Sequence, residues 1–271
     1  MGSGYNAAHH ERRGRMKWSL NTYKTAQDWE LDYLIEMAKK TGYHGIEFLM
    51  DYNQRHGLEW DTPRERWDEV KRKMEEAGLE FASLTSCQVF HHPTEEERRK
   101  SVERVKRVID MAHFFGCKHV RVLGDRFTSE NRDEVIRNVG SCLRELGEYA
   151  EEYGITVSIE MHGSFTDPDP ALEVISIADR PNVGLVFNCV WPNVTIETVD
   201  EFHDRIMPYV TMVHAHRVED PATFEFYRRM FAKLKERGFD GYISNESAYT
   251  GPDPEKVLAM YVALYRALSG E

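Results

Sequence analysis

The chain has 271 residues, 41% of them hydrophobic and 30% charged, with a formal net charge of -11. This balance reads as a globular protein and argues against nucleic-acid partners, because an acidic surface repels a phosphate backbone unless a local basic patch overrides the total. No apolar run is long enough to span a bilayer. The four cysteines, Cys87, Cys117, Cys142 and Cys189, lack the paired spacing of a structural zinc or disulfide framework, so a reducing, cytoplasmic setting without membrane attachment is expected.

Residues 1–15 contain no hydrophobic stretch and read as a disordered N-terminal extension or an expression remnant, not a secretory signal. One folded domain is expected over 16–271. A first strand at 16–21 precedes a helix at 26–40 that closes on Thr41 and Gly42. A second strand at 45–50 precedes a helix at 63–77 that ends at Gly78, the residue type best suited to a left-handed cap. The third strand is 80–86. Thr94, with Glu97 three residues on, has capping-box spacing. It opens a helix with apolar positions Val102, Val105, Val108 and Ile109, stopped by Gly116. Strand 119–123 is followed by a helix at 131–153, strand 155–161 by a short helix at 171–178, and strand 183–187 by a helix at 199–207. Strand 210–216 leads to a helix at 222–237 before Gly238, and strand 242–245 to a helix at 254–268.

Eight alternating units in a domain of about 250 residues predict an α/β protein, a single (β/α)8 TIM barrel. An open doubly wound sheet is the alternative, but no G-x-G-x-x-G follows the first strand.

In such a barrel, chemistry collects at the carboxyl ends of the strands. Here the fifth ends in Glu160-Met161-His162, the sixth in Asn188, the seventh in His214-Ala215-His216-Arg217 and the eighth in Asn245-Glu246. Glu160 and His162 share one face of their strand, as do His214 and His216. Two carboxylates converging on one region repel unless a proton or cation lies between them. A divalent ion resolves that conflict, and imidazole with mostly oxygen donors suits manganese, magnesium or cobalt better than a thiolate-rich zinc site.

The phrases GIEF (45–48), VSIEMHG (157–163), NVGLVFN (182–188), VTMVHAH (210–216) and GYISNES (241–247) occur in an order that resembles the xylose-isomerase-like barrel superfamily of sugar isomerases and epimerases. The resemblance implies a carbohydrate substrate. It also implies one divalent metal held by Glu160, Asn188, His216 and Glu246, with the two glutamates as the acid/base pair. His216 is preferred to His214 as the nearer to the strand's end. Candidates for substrate contact are His162, Trp191, His214, Arg217 and Glu47. His214 can instead support the ligands from behind, and Glu47 can pair with Arg121. Asn188 stands where the family has an Asp, and Trp191 where it has a His. The same proton removal can open a β-elimination, as in a dehydratase or deglycosidase. A non-catalytic sugar-binding member is a further alternative. An abasic-site endonuclease is disfavoured, because the dense His/Asp/Glu set for three zinc ions is missing. A homo-oligomer is left open.

Overall fold

The computed structural model describes residues 15–190, 195–248 and 251–271. The expected extension thus lies outside the described residues except for Arg15. Eight parallel strands close into one barrel in chain order: β1 (Lys17–Asn21), β2 (Gly45–Leu49), β3 (Glu80–Thr85), β4 (His119–Leu123), β5 (Thr156–Glu160), β6 (Val183–Asn188), β7 (Val210–Ala215) and β8 (Tyr242–Asn245), with β8 pairing back onto β1. The helices are α1 (Leu31–Thr41), α2 (Arg64–Ala77), α3 (Glu95–Phe115), α4 (Arg132–Glu151), α5 (Pro168–Ala178), α6 (Ile196–Ile206), α7 (Phe224–Glu236) and α8 (Pro254–Ser269).

The period-two alternation of each strand divides the core. One set of strand residues is apolar and buried: Trp18, Leu20, Ile46, Phe48, Val120, Val122, Ile159 and Phe187 all belong to the main hydrophobic cluster. This sheath lies between strands and helices and holds most of the buried apolar area, the principal stabilising contribution. The alternate set faces the barrel axis and is polar: Ser19, Glu47, Ser83, His119, Arg121, Ser158, His214 and Ser244 are all buried. Branched apolar side chains usually fill that interior.

Two register shifts support the arrangement. Ile46 pairs with Phe81 but Glu47 with Ser83, so Ala82 is an extra residue on β3. Leu185 pairs with Val210 but Val186 with Met212, so Thr211 is extra on β7. Such an insertion re-aims the following side chains. It turns Ser83 and Thr85 inward above an outward Phe81, and brings Thr211 to the axis together with His214.

Helix α1 starts five residues later than expected from 26–40, because Lys24 is in the left-handed conformation, φ 61°, and residues 22–28 form turns. Helix α5 starts earlier, since the Asp167 side chain caps the Asp169 N–H with Pro168 in the first turn. Helix α3 begins as expected, with the Thr94 hydroxyl accepting from the Glu97 N–H at 3.3 Å. Among the described residues, no helix is long and apolar enough to cross a membrane.

Candidate active site

Glu160 terminates β5 and Glu246 follows β8, and both are almost fully buried. His214, on β7 and wholly buried, lies between them: its Nδ1 is 3.4 Å from Glu160 Oε2 and 3.2 Å from Glu246 Oε2. Its Nε2 is 2.9 Å from Glu47 Oε1 on β2. The Thr85 hydroxyl donates to the same Glu47 oxygen. On β4, Arg121 Nε is 2.7 Å from Glu160 Oε2, and its NH1 donates to the Ser86 carbonyl at 3.1 Å. Asn188 donates its amide to Glu160 Oε1 and accepts at Oδ1 from His216 Nε2, 2.7 Å away. His216 Nε2 is also 2.9 Å from Glu246 Oε2.

Electrostatics bind the cluster together. Burial alone would raise the Glu160 carboxyl, but the Arg121 and His214 charges outweigh it and hold it below the ordinary range. Glu246 is held well below that range against the same burial penalty by His214 and His216. Glu47 is likewise buried, yet His214 and the hydrogen bond from Thr85 bring it to about 2. The converse appears at His214, where burial opposes charge but Glu47, Glu160 and Glu246 raise it well above the usual histidine value.

Among the described residues, Glu160, His214 and Glu246 can each offer one ligand atom within 4.8 Å of the others. Glu160 Oε2, His214 Nδ1 and Glu246 Oε2 are buried without a well-directed hydrogen bond, although they lie in ion-pair range of each other and of Arg121. Three carboxylates, Glu47, Glu160 and Glu246, face one guanidinium, which leaves the charge of one divalent cation to balance if His214 is neutral. His214 also carries a carboxylate on its far nitrogen, the support typical of a ligating histidine. This donor set fits a divalent ion.

The expected residues fall into distinct places. Glu160, Asn188, His216 and Glu246 are brought together. Glu47 and His214, expected as substrate contacts, are instead fully buried: His214 joins the two carboxylates as a possible ligand, and Glu47 supports it from behind. Glu47 pairs with His214 and Thr85, not with Arg121, which engages Glu160. His162 is half-exposed at the mouth with Nδ1 3.2 Å from Asp125 Oδ1. Arg217 is 75% exposed and paired to Asp220. Trp191 lies outside the described residues. Sequence reasoning missed Arg121 as the Glu160 partner; its signal is a charged residue inside the apolar run of β4. Nothing in the sequence pointed to Asp125.

The comparisons agree with this architecture. A family model described as xylose isomerase-like TIM barrel matches residues 35–266. An inosose isomerase from Halalkalibacterium halodurans is 23% identical over 256 residues, covering 85% of this chain and 87% of the relative. The solved 3-keto-D-glucoside 4-epimerase from E. coli superposes with a TM-score of 0.77 at 17% identity, over 93% of this chain and all of its own. The IolI protein with a bound zinc atom gives a TM-score of 0.72 at 18% identity, over 94% and 98%. A probable 3-DHS dehydratase from Bacillus anthracis gives 0.70 at 18% identity, over 92% and 98%.

Proposed function

The chain belongs to the xylose isomerase-like TIM barrel family, and from that premise we propose that it is a divalent-metal-dependent isomerase or epimerase of a ketose or keto-inositol. The observation that carries this reading is the convergence of two buried carboxylates, Glu160 and Glu246, on one nitrogen, Nδ1 of His214, at the strand ends. The similarity to an inosose isomerase supports the keto-inositol class.

Glu160, His214 and Glu246 would hold the metal, with Asn188 and His216 offering further donors at the edge of the set. When bound, a divalent ion there would polarise a substrate carbonyl and ease loss of the neighbouring proton. The mixed oxygen and imidazole donors favour manganese, magnesium or cobalt. The protein's own residues carry the proton. One glutamate removes it from the carbon beside the carbonyl, and the other returns a proton to the enediolate from the opposite face. Arg121 and Asn188 hold the two oxygens of Glu160, so its carboxylate has one orientation. His162 and Arg217 stand at the mouth as contacts for substrate hydroxyls or an acidic group.

A second reading rests on His162. It lies two residues beyond Glu160, half-exposed and braced by Asp125, and in this reading it would give a proton to a leaving hydroxyl. The reaction would then be a β-elimination. Incubating the metal-loaded protein with inososes, ketoses and keto-acids in heavy water decides between them. Deuterium entering the carbon beside the carbonyl with the formula retained supports isomerisation, and loss of water supports elimination. No exchange from any of these compounds would remove the proton-transfer reading. Metal content of the purified protein tests the ion separately.

A further inference from the structure

Strand β7 ends at Ala215, whose carbonyl accepts from the Glu246 N–H at 3.0 Å. Two residues on, Arg217 turns into the left-handed region at φ 49°, uncommon for a residue with a β-carbon. His216 lies between, past the sheet and before the turn. Its ring nonetheless keeps two short contacts, Nε2 to Asn188 Oδ1 at 2.7 Å and to Glu246 Oε2 at 2.9 Å. Something outside the sheet must fix the backbone that carries this ring. Tyr227, on α7, does so. Its hydroxyl accepts from the His216 N–H at 2.9 Å and donates to the His216 carbonyl at 2.6 Å. Among the described residues, the His216 backbone bonds to that hydroxyl alone.

Within a sheet, a neighbouring strand satisfies a residue's N–H and C=O. The pairing of β7 with β8 stops at Ala215 and Asn245. A phenol hydroxyl carries one donor and also accepts, so a single oxygen can stand in for the missing strand. The phenol is itself fixed. Tyr227 is wholly buried, meets Phe226 edge-on at 5.1 Å and lies 5.7 Å from Phe231. The next residue is held as well: the Arg217 N–H donates to Ser247 Oγ, and the Thr223 hydroxyl to the Arg217 carbonyl, both at 3.1 Å. The same aromatic cluster offers a comparison. Tyr265, 6.4 Å from Phe231, is equally buried, and its hydroxyl has no partner among the described residues.

We propose that Tyr227 is a positioning residue for the candidate metal site. Through the His216 backbone it sets the ring against Glu246 and Asn188, and thereby how tightly a divalent ion is held. The proposal rests on the reading of Glu160, His214 and Glu246 as a metal site with His216 at its edge. Tyr227 acts through His216 and not on the ion or the substrate. Without its hydroxyl, the His216 N–H and C=O lose their partner. The backbone between Ala215 and Arg217 is then free to swing, and the ring can leave Glu246. The site loses a donor at its edge, and Glu246 loses one of the two histidines that orient its Oε2. Groups that orient a ligand from behind govern affinity almost as the ligands do.

Tyr227→Phe removes one oxygen and keeps the ring. Tyr265→Phe makes the same change where the hydroxyl bonds nothing. Manganese affinity of the metal-stripped protein, read by calorimetric titration, should fall about 10–100-fold in Tyr227→Phe, the range for losing a group that supports a ligand. Tyr265→Phe should bind as the wild type does. Crystal structures of the two metal-free variants give a second reading: His216 Nε2 should leave Asn188 and Glu246 in Tyr227→Phe and keep both in Tyr265→Phe. An unchanged affinity in Tyr227→Phe would overturn the proposal, as would an equal fall in both variants. If Tyr227→Phe fails to fold, exchange of the His216 backbone N–H with water in the wild type decides. Protection like that of β7 supports the clamp, and exchange at the rate of an unbonded loop excludes it. A wild type that binds no divalent ion would sink the metal reading instead, with the position of His216 in the variants still deciding what Tyr227 holds.

Discussion

At the scale of single residues, the site depends on a charge inventory. Arg121 is the permanent cation among three buried carboxylates. Arg121→Met would leave them unbalanced, and removing one partner of a buried pair costs about 3–5 kcal/mol. A fall of that size in urea-unfolding free energy, partly recovered by adding a divalent cation, is the expected result. Glu160→Gln should lower kcat by roughly 10²–10⁴ with the barrel retained by circular dichroism. Near-normal turnover would exclude Glu160 as the acid or base. Much of this cluster is legible in sequence, because Glu160, Asn188, His216 and Glu246 end consecutive strands. The inner partners are not. Whether His214 faces its own strand end, Glu47 across the barrel or Arg121 depends on closure, which joins residues 167 positions apart, such as Glu47 and His214.

At the scale of elements, alternation and caps made the eight units readable, and the boundaries moved where local hydrogen bonding competes with helix. The Asp167 cap started α5 early, and the left-handed Lys24 delayed α1. The register shifts at Ala82 and Thr211 leave only a faint sequence signal: no Gly marks them, but the apolar alternation changes phase across each, at Phe81-Ala82 on β3 and Met212-Val213 on β7. One loop contact shows how an element positions the site. Gly163 has φ 57°, and a Cβ there would lie 2.4 Å from the Asp125 carbonyl oxygen. The Ser164 N–H donates to that oxygen at 2.8 Å, clamping the loops after β4 and β5 where His162 emerges. Gly163→Ala should force this clamp apart. The expected outcome is a rise in KM with a smaller change in kcat, together with a loss of about 1 kcal/mol or more for the left-handed conformation. At the far end of the chain's order, Thr94→Ala should cost about 1 kcal/mol through α3 alone, read as a lowered unfolding midpoint without change in activity.

At the scale of the whole molecule, the polar axis makes stability depend on pH. Burial holds His119 and His56 near about 4, below the ordinary histidine value of 6.5. Their neutral forms are favoured in the fold, so this contribution is full above pH 6.5 and drains as pH falls from 6.5 towards 4. Glu47, held at about 2 against an ordinary 4.5, adds stability present above pH 4.5 and lost between 4.5 and 2. Acid should therefore weaken the protein in two stages in urea-unfolding curves taken across pH. His119→Gln should shrink the upper stage to the share of His56 and leave the lower one in place.

The eight strands show the helices one chemistry and the axis another. Trp18 and Ser19, Ile46 and Glu47, Val120 and Arg121 are chain neighbours, yet each pair serves opposite faces. Variation on one face is therefore largely insulated from the other. A lineage can exchange inward residues, acquiring new reactions, while the sheath that folds the chain stays fixed. The face a position takes, given by its parity once the shifts at Ala82 and Thr211 are counted, then separates substitutions that drift neutrally in activity from those that found a new enzyme.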